Sequence, residues 1–315
     1  MFDVHTHFIP PEALDWLRSN ARSVNAEWKR KDPAKAEFLN VNGNWEFELK
    51  ESFVNSALYL EERQKAGISH SLVSPIPQLF LYDFDPELTL DLSRAYNDGM
   101  AKWTSANAGL SGLATVPMNA PESAAAELER AMSRGLRGAI VASSWGGKLL
   151  SDPSLTPFWE AADAHRAIVF VHPLLCEDNR LKQKMMPNLI GVPWETTVCA
   201  TALMLNGYLE KYPNAKVLLA HGGGYLPYQI GRIGKGWSSW PAVSASPSMP
   251  PKEAARRFWY DTVLWDESAL EHLIRTVGED RVVQGTDFPF DLCEWPPAEI
   301  SSQGFETLMG WSISP

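Results

Sequence analysis

The chain has 315 residues, with 28 Lys and Arg against 38 Asp and Glu, a formal net charge of −10. Hydrophobic residues at 45% and charged residues at 21% exclude a disordered chain, and no apolar run reaches the roughly 18 residues that a membrane span needs. An acidic balance without a basic block excludes nucleic acid and anionic membranes as partners.

In chain order, the first element is a short apolar strand at 2–5. Residues 8–60 then break the pattern of the rest of the chain. They predict an insertion near the mouth of the fold, with Asn42-Gly43-Asn44 as a turn between two short strands and a helix over 56–67. Further apolar runs without polar alternation follow at 70–75, 109–117, 138–143, 167–172, 216–221, 258–263 and 281–287. That pattern suits parallel strands buried on both faces. Helical stretches between them are predicted at 86–107, 120–133, 157–165, 196–212, 227–233 and 266–277, and 240–251 reads as a loop. Eight strands with intervening helices make the (β/α)8 TIM-barrel count, as one domain over 1–315. The count alone also allows a doubly wound sheet, but the polar residues favour the barrel.

Those residues stand where strands finish. The first strand ends in His5-Thr6-His7, the fifth in His172, the sixth in His221 before three glycines, and the eighth in Asp287. In a barrel these ends share one mouth. His5 and His7, two residues apart on a strand, point the same way. With His172 and Asp287 they offer three imidazoles and a carboxylate, a donor set for one divalent metal ion with a position left for water. Zn²⁺ is the expected ion, Mn²⁺ suits the same donors, and no organic cofactor is implied. His221 is then free to act as general acid–base with Asp287. His70, His165 and His272 have no such setting and read as structural.

Cys176, Cys199 and Cys293 form no CxxC pair, so they read as core or pocket thiols in a reducing compartment. The N-terminus has no basic segment leading into an apolar one, and a cytoplasmic location is expected.

The order of these residues resembles the amidohydrolase superfamily. VHTHFIPPE at the start, LATVPMNAPE at 113–122, VHP at 171–173, GVPWETT at 191–197, AHGGGYLPYQIGRI at 220–233 and GTDFPF at 285–290 are similar to the aminocarboxymuconate-semialdehyde decarboxylase branch, with its salicylate- and resorcylate-type decarboxylases. The resemblance implies non-oxidative decarboxylation of a hydroxy- or amino-substituted aromatic, or muconate-like, carboxylic acid. The same groups would also suit a hydrolase acting on an amide, a lactone or a ring substituent. Binuclear relatives carry a bridging Lys at the end of strand four; 138–143 has none, so one metal is implied.

Glu195, in the WETT segment, is a candidate carboxylate to orient His221, although a charge at a helix N-terminus explains it equally well. By the resemblance, Arg232 is retained from a region that serves a neighbouring subunit, which implies a homodimer. Phe47 and Trp240 stand where the branch has substrate-holding arginines. With Trp194 and Phe290 they suggest aromatic walls and a flatter, less charged substrate. Thirteen tryptophans are unusual. Trp145, Trp194, Trp237 and Trp240 fall on the mouth side, Trp16, Trp28 and Trp45 in or near the insertion, and Trp103, Trp159 and Trp259 read as packing. The ending ISSQGFETLMGWSISP departs from the branch and suggests a shortened or repacked closing helix.

Overall fold

The computed structural model describes residues 1–311 except 34 and 44, and only the backbone of Trp45. Eight short parallel strands form the centre: β1 (Phe2–His7), β2 (His70–Ser74), β3 (Leu110–Gly112), β4 (Gly138–Ala142), β5 (Ile168–His172), β6 (Lys216–Leu219), β7 (Trp259–Asp261) and β8 (Val282–Val283). Regular ladders join β1–β2–β3 and β4–β5–β6–β7–β8. Single bridges and backbone hydrogen bonds join the two groups. Ala114 exchanges bonds with Gly138 and Ile140 at 2.8 and 2.9 Å, and Val4 N donates to Gln284 O at 2.8 Å while Asp287 N donates to His5 O at 2.7 Å. The ring is therefore a barrel with two irregular seams.

Both seams shorten strands that the sequence predicts to be longer. Past β3, the Asn97 side chain takes the place of a neighbouring strand, bonding both the N–H and the carbonyl of Thr115 at 2.9 Å. Past β8, Asp287 turns into the left-handed region, φ 62°, so the ladder cannot continue through the site residue. A third irregularity lies in β1. Asp3 pairs with Ser71 and Thr6 with Val73, one extra residue on β1. The Asp3 carboxylate supports this bulge, accepting from His5 N at 3.1 Å and Thr286 Oγ1 at 2.7 Å. Bulges of this kind re-aim side chains, here in the segment that carries His5.

Helices return the chain between strands. Asp85 and Asp266 cap two of them, accepting from Glu87 N and Ala269 N. The helix predicted at 196–212 instead runs Val192–Leu205, after a π-helical turn Pro187–Gly191, and stops before Gly207, whose φ of 72° separates off Tyr208–Lys211. The helix predicted at 227–233 extends as Leu226–Ser239, through glycines whose low helix propensity hides it in the sequence.

The insertion holds one strand more than expected. Ala26–Lys29, Phe38–Val41 and Trp45–Glu48 form an antiparallel sheet, flanked by the helices Pro11–Ser19 and Ser56–Lys65. Asn42 and Gly43 are left-handed, as a tight turn requires; Asn44 lies outside the described residues. The closing helix is short, Gln303–Met309, and packs beneath the barrel. Phe305 stacks on Phe2 with ring centroids 4.2 Å apart. Arg137 and Lys216 donate to the carbonyls of Met309 and Leu308 at 2.8 and 2.6 Å, cations at the negative end of a helix. The last residues of the atypical terminus, 312–315, lie outside the described residues.

Candidate metal centre

His5, His7, His172 and Asp287 each bring one ligand atom to a common point, all within 4.8 Å of one another, and all four residues are buried. The three imidazoles stand nearly perpendicular in pairs, with centroids 5.1–5.5 Å apart. Asp287 Oδ1 lies 3.1 Å from His7 Nε2 and 3.2 Å from His5 Nε2.

Each ring is held from behind by its Nδ1. His5 Nδ1 donates to Asp261 Oδ2 at 2.6 Å, His7 Nδ1 to Pro75 O at 3.0 Å, and His172 Nδ1 to Pro173 O at 2.9 Å. These bonds set the tautomer and leave the three Nε2 atoms as lone pairs facing inward, the usual arrangement around metal-bound histidines. Nε2 of His5 and of His172 are buried without an aligned hydrogen-bond partner, and His7 Nε2 faces a carboxylate oxygen. Acceptors converging on acceptors in a buried space are unfavourable unless a cation lies between them. The donor set thus fits one divalent ion.

The electrostatics of these groups also call for positive charge among them. Burial and then the neighbouring imidazoles hold His172 well below the usual histidine range. Burial lowers His7 too, only partly offset by Asp287. Burial would also lower His5, but Asp287 and Asp261 outweigh it and push it up to about 10. Burial would raise Asp287, but the His5 charge and the neighbouring imidazoles of His221 and His7 hold it well below the usual carboxylate range. The cluster is neutral imidazole on one side and favours positive charge between its carboxylates on the other.

His221 stands beside this set. Its Nε2 is 3.7 Å from Asp287 Oδ2, and its ring faces Trp265, nearly parallel, with centroids 6.5 Å apart. It begins four consecutive left-handed residues, φ 54°, 59°, 76° and 63° through Gly224. A Cβ at Gly222 would lie 2.5 Å from Leu264, and one at Gly224 2.0 Å from Pro193 O, so the turn needs its glycines.

Asp261, at the end of β7, is the residue the sequence reading missed. It is fully buried and accepts from His221 N, Gly222 N and Val263 N at 3.0, 2.9 and 3.1 Å, besides the His5 ring. A polar residue closing an apolar strand was the available signal, the same one that marks Asp287.

Glu195 does not pair with His221. Its Oε2 accepts from Ser144 Oγ at 2.7 Å, and His221 Nδ1 has no hydrogen-bond partner. The first turn of Val192–Leu205 aims Glu195 at the loop after β4, and it is Asp261 that holds the His221 turn.

Phe290 packs edge-on against His7, centroids 5.2 Å apart, and against Phe53 and Phe47 of the insertion at 4.9 and 5.9 Å. Lys50 Nζ bonds Pro289 O at 2.9 Å and Asp291 at 2.7 Å. Trp194 lies under the Arg180 guanidinium at 5.8 Å. Trp240 is 63% exposed and Arg232 is exposed; among the described residues no hydrogen bond or ion pair joins either to the His5–His7–His172–Asp287 cluster. Trp159 and Trp259 are buried, and Trp103 stacks on Phe8, as packing residues should. The side chain of Trp45 lies outside the described residues.

A cavity of about 640 Å³ is lined by the loops that leave β2, β4 and β5, together with Val41 and Asn42 of the insertion. Its aromatic walls come from Phe80, Tyr82, Phe84 and Trp145.

The amidohydrolase family matches residues 2–306. The 2-amino-3-carboxymuconate-6-semialdehyde decarboxylase of Dictyostelium discoideum is 33% identical over 305 residues, 95% of this chain and 84% of that protein. The gamma-resorcylate decarboxylase of Polaromonas sp. is 30% identical over 223 residues, 64% of this chain and 67% of that protein. Among solved structures, a dihydroxybenzoic acid decarboxylase of Polaromonas sp., with bound manganese and the inhibitor 2-nitroresorcinol, shares the fold. Its TM-score is 0.73 at 22% identity, covering 98% of this chain and 94% of that one.

Proposed function

The chain belongs to the amidohydrolase family, and from that premise we propose that it is a metal-dependent decarboxylase of a hydroxy- or amino-substituted aromatic carboxylic acid. The observation that carries this reading is the convergence of three inward Nε2 atoms and Asp287; the loops that follow β2 and β5, which carry Pro75 and Leu174 next to two of these residues, also wall an aromatic cavity. The cavity has the volume of a site for a single-ring ligand, within the roughly 300–1,000 Å³ of small-molecule pockets.

His5, His7, His172 and Asp287 hold one divalent ion, Zn²⁺ or, as in the Polaromonas structure, Mn²⁺. When bound, the ion supplies Lewis-acid binding of the substrate carboxylate and an adjacent oxygen. His221 Nε2 delivers a proton to the ring carbon that bears the carboxylate. The carbon–carbon bond then breaks, its electron pair restores ring conjugation, CO₂ leaves, and His221 regains its proton from solvent. Asp261 keeps the His221 backbone in place by accepting its N–H.

The chain acts as one domain, with residues 8–60 covering the mouth. Lys50 and the Phe47, Phe53 and Phe290 rings tie that insertion to the segment after Asp287 and keep water from the reacting carbon. Homodimerisation is supported by exposed apolar side chains, among them Tyr228 at 80% and Trp240 at 63%, at either end of the helix that carries Arg232. The three free cysteines suit a reducing cytoplasm.

The test is a panel of hydroxybenzoates and aminobenzoates offered to Zn²⁺- or Mn²⁺-loaded protein, with CO₂ release and product mass as readouts. Release of CO₂ with a product lighter by one carboxyl group is expected. A hydrolysis product that keeps its carboxylate, or no CO₂ from any acid, overturns the reading.

A further inference from the structure

We propose that Gln78 determines substrate specificity, its side-chain amide binding a neutral hydroxyl or amino substituent of the aromatic acid; this rests on the decarboxylase reading of the site. Gln78 sits in the single helical turn Pro77–Leu79 that follows β2. The residues from Pro75 to Tyr82 are otherwise Pro, Ile, Leu, Phe and Tyr, so it is the one polar amide in an apolar run. Three residues before it, the Pro75 carbonyl accepts the His7 ring N–H, so the loop that carries Gln78 leaves β2 at the hydrogen-bond partner of a proposed metal ligand. Leu174, on the opposite loop of the same cavity, stands two residues past His172.

Gln78 lines the cavity, and both its Nε2 and its Oε1 are buried with no hydrogen-bond partner among the described residues. Leaving a buried donor or acceptor unpaired is unfavourable, and orphaned pairs of this kind are rare in folded proteins. The hydrocarbon stem of a Met would fill the same space without that cost. Tyr82 adds a buried hydroxyl that approaches the Ala142 backbone without forming an aligned bond.

The chemistry of the missing partner follows from the amide. A hydroxyl donates to Oε1 and accepts from Nε2, satisfying both; an amino group donates to Oε1. A second carboxylate accepts from Nε2 but is repelled by Oε1. It would also meet Asp83, Glu177 and Glu195 in the same lining, where Lys182 is the only cation among the described residues. The cavity therefore selects an acid with one carboxylate, taken by the metal cluster, and a neutral hydrogen-bonding group on the ring. Sites built to bond a substrate hydroxyl reject analogues that lack it far more strongly than apolar pockets reject a missing methylene.

The test is binding of the isomeric hydroxybenzoates and aminobenzoates, benzoate and benzene dicarboxylates to full-length, metal-loaded protein, followed by tryptophan fluorescence and calorimetry. The wild type should bind its best hydroxy or amino acid at least about 10-fold more tightly than benzoate. In Gln78→Met that ratio should fall to near one through weaker binding of the substituted acid, with benzoate binding and metal content unchanged. Gln78→Asn, which retracts the amide by one methylene, should give an intermediate ratio and covers the case in which Gln78→Met fails to fold. Wild type without discrimination, a ratio that survives both substitutions, or equal weakening of benzoate overturns the proposal. CO₂ release by wild type is measured in parallel. A lost ratio without CO₂ sinks the decarboxylase reading and leaves the role of Gln78, whereas CO₂ with an unchanged ratio sinks the role of Gln78 alone.

Discussion

Asp261 accepts the His5 ring N–H through Oδ2 at 2.6 Å and the Gly222 backbone N–H through Oδ1 at 2.9 Å. One carboxylate thus couples a proposed metal ligand on β1 to the left-handed turn that presents His221. Removing it releases two things at once: the orientation of the His5 ring and the backbone of the proposed proton donor.

Asp261→Asn keeps the shape but replaces one acceptor oxygen with a donor. Metal affinity should fall about 10- to 100-fold, the usual effect of losing a carboxylate behind a ligating histidine. Titration of the metal-free protein with Zn²⁺ measures this directly, and turnover at saturating metal should remain below wild type because the His221 turn is also loosened.

His221 and His172 should separate cleanly. His221→Ala should retain stoichiometric metal and lose turnover by about 10²–10⁴-fold, the range for a missing general acid. His172→Ala should lose the metal itself. Metal analysis of the two purified variants beside CO₂ assays decides; a metal-free His221→Ala would make His221 a ligand.

Chelation should lower the unfolding temperature. The metal binds only the folded arrangement of residues drawn from β1, β5 and the end of β8, so its free energy adds to stability, by about 4 kcal/mol at a free concentration 1,000 times Kd. Thermal melts with and without chelator, then with Zn²⁺ or Mn²⁺ restored, report the shift. An unchanged melting temperature would count against a bound ion.

Acid should weaken the fold through His70, far from the site. Burial, then Arg63 and Arg137, push His70 down to about 4, while its Nε2 bonds Ser111 Oγ at 3.0 Å. In the unfolded chain it titrates at its ordinary value of 6.5. Between these values the unfolded state takes up a proton that the folded state refuses, so stability falls as pH drops from about 6.5 to 4. Urea unfolding at pH 7 and pH 5 should show a smaller loss in His70→Gln than in wild type.

Gly304→Ala tests the base of the barrel. An added Cβ there would lie 1.9 Å from Val282 O, backbone that cannot yield without moving β8. Overpacking of this kind costs typically about 1–3 kcal/mol. Denaturant midpoints should fall with metal content unchanged, because the substitution lies at the opposite end of the barrel from the ligands.

The sequence by itself determined the order of the barrel strands, the strand-end residues proposed as metal ligands and the family resemblance. These depend on local pattern: apolar runs without alternation, and polar residues that close them. Chain order then carries all such ends to one mouth. The partnerships behind that first ring were decided only by the tertiary structure. Asp261 holds His5 and the His221 turn across 256 and 40 residues of chain. Glu195 bonds Ser144 from the first turn of its helix, where the reading as a helix N-terminal charge places it, and Arg232 and Trp240 are exposed on and just after their helix. Gln78 looks like a stray polar residue until its empty-handed amide is seen in the cavity wall. A hydrogen bond between residues distant in sequence leaves no local periodicity, and whether a polar atom finds a partner depends on packing that no window of sequence contains.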